Sequence, residues 1–313
     1  MPFHEIELQI KKNSGYIYSM LRKLRIAVLI LAVIYFLTSL SIAYGFSMPG
    51  HTIPEASPAD YDAVYEDVSF YSSIDQVLLS GWYISGGGST TIIVMHGGRA
   101  NRADESVGLL ELCVELAKRE FNVLTIDRRG CGLSSSPAFY NRGHLERDFG
   151  GAVDYIRSRN GEQEKIFLFG NSIGAQAAFV YAYENNGNKI SGLISDSGFA
   201  KRENIAARVL NQAVMFTGIF APGALKLGEW VFGLPNLDAI DIVGKIRLPI
   251  LFINGGSDMQ IPVDSTYRLL EEFGNPSNEI LIVSGAGHNQ AYKTDPTEYI
   301  DRVVSFLNKH TDG

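Results

Sequence analysis

Cysteine is almost missing from this chain. Of 313 residues only Cys113 and Cys131 carry a thiol. Two cysteines cannot build the stapled framework of a small disulfide-rich fold, nor a zinc site of the usual spacing. Cys113 falls on the apolar stripe of a helical stretch, where a small buried residue is expected. The six histidines (4, 51, 96, 144, 288 and 310) are scattered and show no metal-ligand spacing. Excess positive charge is also lacking. With 27 Lys and Arg against 34 Asp and Glu, the net charge is −7. No basic stripe marks the body of the chain, so a nucleic-acid partner is not indicated. Internal repeats and low-complexity tracts are absent as well. What remains is an ordinary globular composition, 46% hydrophobic and 19% charged. No metal site is expected from these residues.

One long apolar run stands out. Residues 26–46 contain no charged side chain, and as a helix they reach about 31 Å, close to the thickness of a bilayer core. Lys11, Lys12, Arg22, Lys23 and Arg25 precede the run, and Asp60, Asp62, Glu66 and Asp67 follow it. The positive-inside rule then places a short N-terminal segment, residues 1–25, in the cytoplasm and the large domain on the other side. The alternative is a cleaved signal peptide, with small-residue sites at Ser41 to Ala43 and Ala43 to Gly45, the body then being secreted. The long positive region and long apolar run favour an uncleaved transmembrane helix. Residues 47–62, with Pro49, Pro54 and Pro58, read as a stiff linker.

The body, residues 63–310, reads as strand and helix in alternation. Residues 64–70 and 77–84 suggest an antiparallel pair joined by a turn at 72–75. Continuous apolar strands follow at 91–95, 123–126, 166–169, 190–195, 249–253 and 280–283, as expected where both faces are covered. Helices are expected at about 105–120, 145–159, after Ser172, at 264–273 and at 297–309. This order argues for a mostly parallel sheet with helices on both faces, an α/β fold. Residues 199–247 interrupt the alternation and look helical. An insertion of that length exceeds what a connection needs. It serves either as an extra packing layer or as a short helical lid over a site.

The chemistry begins at Gly170-Asn171-Ser172-Ile173-Gly174, a G-x-S-x-G motif directly after an apolar strand and before a small-residue helix. A sharp strand-to-helix bend lifts the serine hydroxyl above the sheet. The following helix N-terminus offers backbone N–H groups to an oxyanion. A serine nucleophile needs a base, and the base needs an orienting acid. His288 follows the last strand, and Asp258 follows the strand before it. Ser172, Asp258 and His288 thus lie at strand C-terminal ends, where chemistry in open parallel sheets belongs. Asp196 ends an earlier strand and is the second candidate for the acid. Gly98, after the strand 91–95, and Ile173 are the expected oxyanion donors. His96 is expected to pin its own turn. Arg99 and Arg102 are either part of the entrance or ordinary solvated side chains.

These segments together resemble the α/β-hydrolase-fold serine hydrolases, in particular membrane-anchored, single-pass α/β-hydrolase-domain proteins and the related esterases and peptidases. The residues concerned are HGGR (96–99), DRRGCGLS (127–134), GNSIGA (170–175), GGSDMQIP (255–262) and GAGH (285–288), spread over about residues 64–310. The loop from Asp127 to Ser134 is similar to a D-x-R-G-x-G-x-S loop that shapes the wall of the site. The resemblance implies an eight-stranded sheet, hydrolysis of an ester, thioester or amide through an acyl-serine, and no cofactor. The expected partner is a small-molecule or lipid-like acyl substrate. A serine peptidase remains open, with Asp238, Asp241 and Glu229 in the insertion available to hold an amine. So does a non-catalytic binding or scaffold module of the same fold.

Overall fold

A computed structural model describes residues 3–48, 50 and 52–311. Pro49, His51 and the chain ends, including part of the expected N-terminal segment, lie outside the described residues. A single helix, α1, runs over Phe3–Ser47. It begins well before the apolar run, since no proline interrupts the polar stretch ahead of it and a single glycine, Gly15, is tolerated within a helix. The body follows as β1 (Tyr65–Tyr71), β2 (Leu78–Ile84), β3 (Thr90–Met95), α2 (Leu109–Ala117), β4 (Asn122–Asp127), α3 (Glu146–Asn160), β5 (Lys165–Asn171) and α4 (Ile173–Glu184). The second half contains β6 (Gly192–Asp196), α5 (Arg202–Ala213), α6 (Ala221–Phe232), α7 (Ala239–Ile242), β7 (Ile250–Gly255), α8 (Val263–Phe273), β8 (Glu279–Val283), α9 (Ala291–Thr294) and α10 (Pro296–Thr311).

Among the described residues the strands form one eight-stranded sheet in the order β1-β2-β4-β3-β5-β6-β7-β8. β1 with β2 and β2 with β4 pair antiparallel, and the remaining neighbours are parallel. Side-chain alternation along each strand feeds two cores. Ile93, Met95, Leu124, Leu168 and Phe252 face α3, α4 and α8. Ile92, Val94, Val123, Phe167 and Ile253 face α2 and α10. Both faces are therefore dry, which accounts for the continuous apolar runs.

The second helix of the sequence reading starts later than expected. Gly108, just before α2, has φ +71°, a left-handed conformation that ends any helix running in from residue 105. The stretch expected as a linker is partly laid on the body: Pro58 is buried, and Ala56 and Tyr61 pack against the face that carries α2 and α10. The insertion between β6 and β7 is helical, as α5, α6 and α7. Its α6 packs against the end of α1, around buried Ala43, Ala224 and Phe232.

Candidate active site

Ser172 sits between the end of β5 and the start of α4 with φ 50° and ψ −108°. A non-glycine residue at positive φ is strained and persists only when its surroundings hold it. Here the Ser172 N–H donates to the Asp196 carbonyl at 2.8 Å, tying the bend to the end of β6. The flanking glycines are steric necessities. A Cβ on Gly170 would stand 2.2 Å from the Gly174 carbonyl carbon, and one on Gly174 would stand 2.5 Å from the Met95 carbonyl oxygen. The helix can leave the strand this abruptly only because both positions are bare.

The loops after β7 and β8 are laced together. Gly256 N–H donates to the Val283 carbonyl at 2.7 Å, and Ser257 N–H to the Ala286 carbonyl at 2.8 Å. This brings Asp258 beside His288. The His288 Nδ1 lies 2.8 Å from Asp258 Oδ2, and its Nε2 lies 3.1 Å from Ser172 Oγ. The other Asp258 oxygen accepts the N–H groups of Gln260 and Ile261, each at 2.8 Å. The carboxylate is thus almost fully desolvated yet bonded at both oxygens, the condition under which it can hold an imidazole in one tautomer.

Asp196 is placed differently. It is buried, and its oxygens accept from Ser197 Oγ at 2.9 Å and from the Tyr299 hydroxyl at 2.8 Å. Burial pushes its carboxyl up to about 6, although both hydroxyl donors pull the other way. Burial and the adjacent Asp196 also push the Tyr299 hydroxyl well above its ordinary range. Ser197 Oγ in turn accepts the N–H of Asn289, the residue after His288, at 3.1 Å. The Asp196–Ser197–Tyr299 group therefore underlies the histidine loop. The sequence reading found Asp196 but not Ser197 or Tyr299. A hydroxyl on the last helix, 103 positions from its partner, leaves no local motif.

His96 is fully buried. With Nδ1–H donating to the Gly97 carbonyl at 2.8 Å, its Nε2 accepts from the Arg128 N–H at 3.2 Å. Burial, with the positive charge of Arg128 nearby, pushes its pKa down to about 3, so the ring stays neutral and structural. Its bond holds the Gly97 carbonyl, which shares a peptide group with the Gly98 N–H. Among the described residues, no hydrogen bond reaches the N–H of Gly98 or of Ile173. Asp127 organises the wall loop, accepting from Arg102 N–H at 2.8 Å and Leu133 N–H at 2.9 Å. Arg102 itself is neither at the entrance nor solvated. It is 2% exposed, its guanidinium lies 4.1 Å over the Trp82 ring, and it donates to Ser80 Oγ at 2.7 Å. The aromatic face, and Asp127 Oδ2 at 3.7 Å from its Nε, offset part of the cost of burying the charge. Arg99 is exposed.

A cavity of about 50 Å³ lies beside the bend, lined by Ile173, Gln176 and Val180 of α4, by Leu234, and by Phe46 and Ser47 at the end of α1. In the insertion, Arg202 pairs with Asp238 at 3.1 Å and with Glu229 at 3.5 Å. Lys226 pairs with Glu229 at 2.7 Å. Two of the three carboxylates considered for an amine site are therefore occupied by cations of this chain. Among the described residues no group of three or more His, Cys, Asp or Glu is placed to hold a metal ion.

The family profile described as Serine aminopeptidase, S33, matches residues 89–228. An uncharacterised protein of Mycobacterium tuberculosis is 27% identical over 268 residues, covering 82% of this chain and 83% of that one. The alpha/beta hydrolase domain-containing protein WAV2 of Arabidopsis thaliana is 28% identical over 261 residues, covering 81% and 82%. Among solved structures, the Pyrococcus furiosus esterase Pf2001 superposes with a TM-score of 0.72 at 23% identity, covering 84% of this chain and 98% of the esterase.

Proposed function

We propose that this chain, which has the α/β-hydrolase fold, is a membrane-anchored serine hydrolase cleaving a carboxylic ester or thioester through an acyl-serine. The observation that carries this reading is the relay from Ser172 Oγ through His288 to Asp258, with spacings of 3.1 and 2.8 Å. His288 Nε2 takes the Ser172 proton as the oxygen attacks the substrate carbonyl. Gly98 and Ile173 N–H groups receive the developing negative charge. The loss of one such donor costs about 10²–10³ in rate in comparable sites. Asp258 fixes the Nδ1–H tautomer and stabilises the imidazolium. His288 then protonates the leaving group, and a water activated by the same imidazole releases the acid.

The esterase name of the structural neighbour and the apolar insertion both favour an acyl ester. The engagement of Asp238 and Glu229 by Arg202 weighs against an amine-binding device. The peptidase reading draws on the description of the matching profile, and a panel of p-nitrophenyl esters against aminoacyl anilides separates the two. Labelling with a fluorophosphonate probe, wild type against Ser172→Ala, tests the nucleophile. An unlabelled wild type sends the protein to the scaffold reading.

The anchor is part of the same proposal. The end of α1 is built into the body through Ala43, Phe46 and Ser47, which supports retention of the helix over cleavage near Ala43. The basic residues ahead of the run favour a cytoplasmic N-terminus and a catalytic body on the opposite side. Protease treatment of sealed vesicles checks this orientation, and digestion of the body only from the cytoplasmic side reverses it.

A further inference from the structure

The free part of α1 is too short to cross a bilayer alone. Arg25 is the last charged residue of the helix, and a hydrocarbon core takes about 20 helical residues. Residues 26–37 are exposed throughout, which amounts to about 18 Å of helix. From Tyr35 onward α1 lies on the insertion. Ser39 and Ala43 are fully buried. The Tyr35 hydroxyl donates to the Ile219 carbonyl at 3.3 Å, its ring lies 5.3 Å from Phe220, and Tyr44 lies 6.1 Å from Phe232. If the whole charge-free run occupies hydrocarbon, the hairpin of α5 and α6 enters with it.

The hairpin is composed for that position. No charged residue occurs from 209 to 225, between Arg208 and Lys226. At its tip Val214, Met215, Phe216 and Ile219 are 62–73% exposed, with nothing in the body to cover them. Backbone in lipid needs internal partners, and several groups of this tip have them. Gly218 N–H donates to Asn211 Oδ1 at 2.8 Å, Thr217 Oγ1 donates to the Leu210 carbonyl at 2.7 Å, and Val214 N–H donates to the Leu210 carbonyl at 2.9 Å. Lys226 and exposed Trp230 follow on the side nearer the body, a pairing suited to the lipid–water boundary.

We propose that residues 209–225 form a re-entrant membrane element, seated with the second half of α1 in the leaflet nearest the body, and that the site draws an acyl ester from that leaflet. The hairpin reaches the site directly. Gln212 Nε2 donates to the carbonyl of Met259, the residue after Asp258, at 3.3 Å, and Met259 is 75% exposed. Phe46 and Ser47, at the end of the same membrane helix, line the cavity beside Ile173. The seating stands on this geometry alone, and the delivery of substrate rests on the hydrolase reading above.

The test uses the full chain in phosphatidylcholine vesicles. Cys113 and Cys131 are buried, so a Phe216→Cys variant takes an environment-sensitive thiol dye at the new position. Acyl-chain spin-labelled lipid is expected to quench that dye and aqueous iodide to spare it. A Glu162→Cys label, at the opposite edge of the sheet, is expected to behave in reverse. Iodide quenching equal at both positions overturns the seating. A Met215→Asp/Phe216→Asp variant is expected to lose about tenfold or more of turnover on a long-chain ester in vesicles, with turnover of a soluble short-chain ester unchanged. Equal long-chain turnover overturns the delivery. A wild type inert to both esters and to fluorophosphonate sinks the hydrolase reading and leaves the dye result to judge the seating.

Discussion

His288 Nδ1 stands 2.8 Å from Asp258 Oδ2, and Asp196, the other carboxylate beneath the histidine loop, bonds Ser197 and Tyr299 instead. An acid that orients the imidazole matters chiefly in the transition state. Asp258→Asn is therefore expected to lower kcat by about 10⁴ with the fold intact, read from p-nitrophenyl ester turnover beside a thermal melt. Asp196→Asn is expected to cost far less activity. The reverse ranking moves the acid to Asp196.

The pairing of Asp196 with Tyr299 gives a prediction with a definite sign. Burial raises the Asp196 carboxyl from 3.8 to about 6, against the pull of the Tyr299 hydroxyl. Its contribution to stability is thus fully present below about pH 3.8 and falls as pH rises toward 6. Tyr299→Phe removes a donor that favours the ionised form. Its cost is expected to be small at pH 4 and to grow to about 1–3 kcal/mol at pH 7. Melts across that range check it, and a cost independent of pH refutes it.

The bend at Ser172 leaves no room at Gly174. An added Cβ would meet backbone, the Met95 carbonyl oxygen at 2.5 Å, rather than a movable side chain. Gly174→Ala is expected to destabilise by about 1–3 kcal/mol or more and to slow fluorophosphonate labelling at Ser172. Wild-type melting and labelling in that variant contradict the steric account.

Phe232 joins the insertion to α1 and to the body. It is 1% exposed, with Tyr44 at 6.1 Å and Phe139 at 4.5 Å between ring centroids. Phe232→Ala is expected to cost about 3–5 kcal/mol where the region unfolds as one unit. Protease digestion in detergent locates the loss. Cleavage confined to residues outside 199–247 contradicts the coupling of insertion and helix.

The parts of the site that were legible from residues alone share a property. Ser172, Asp258 and His288 each follow an apolar strand, and a parallel sheet collects its strand ends on one edge. Where the reading fell short, the cause lies in contacts between distant segments. Arg102 looks like a solvated rim residue in a glycine-rich loop, yet it stacks on Trp82 of β2 across the sheet. Tyr299 reads as one more apolar position of α10, although its hydroxyl reaches Asp196. The packing of α1 on α6 joins two helices far apart in sequence, and neither stripe names the other. The later start of α2 turns on one glycine torsion that composition does not reveal.

The wall loop also constrains the order in which the chain assembles. Arg129 is fully buried between Asp75, in the turn from β1 to β2, and Asp148, on α3, at 2.6 and 2.7 Å. A desolvated guanidinium with either carboxylate missing is costly, so no intermediate gains by burying it early. The first hairpin, the loop after β4 and the start of α3 must close together. In refolding, protection of the first hairpin, of the loop after β4 and of the start of α3 should therefore appear in one cooperative step.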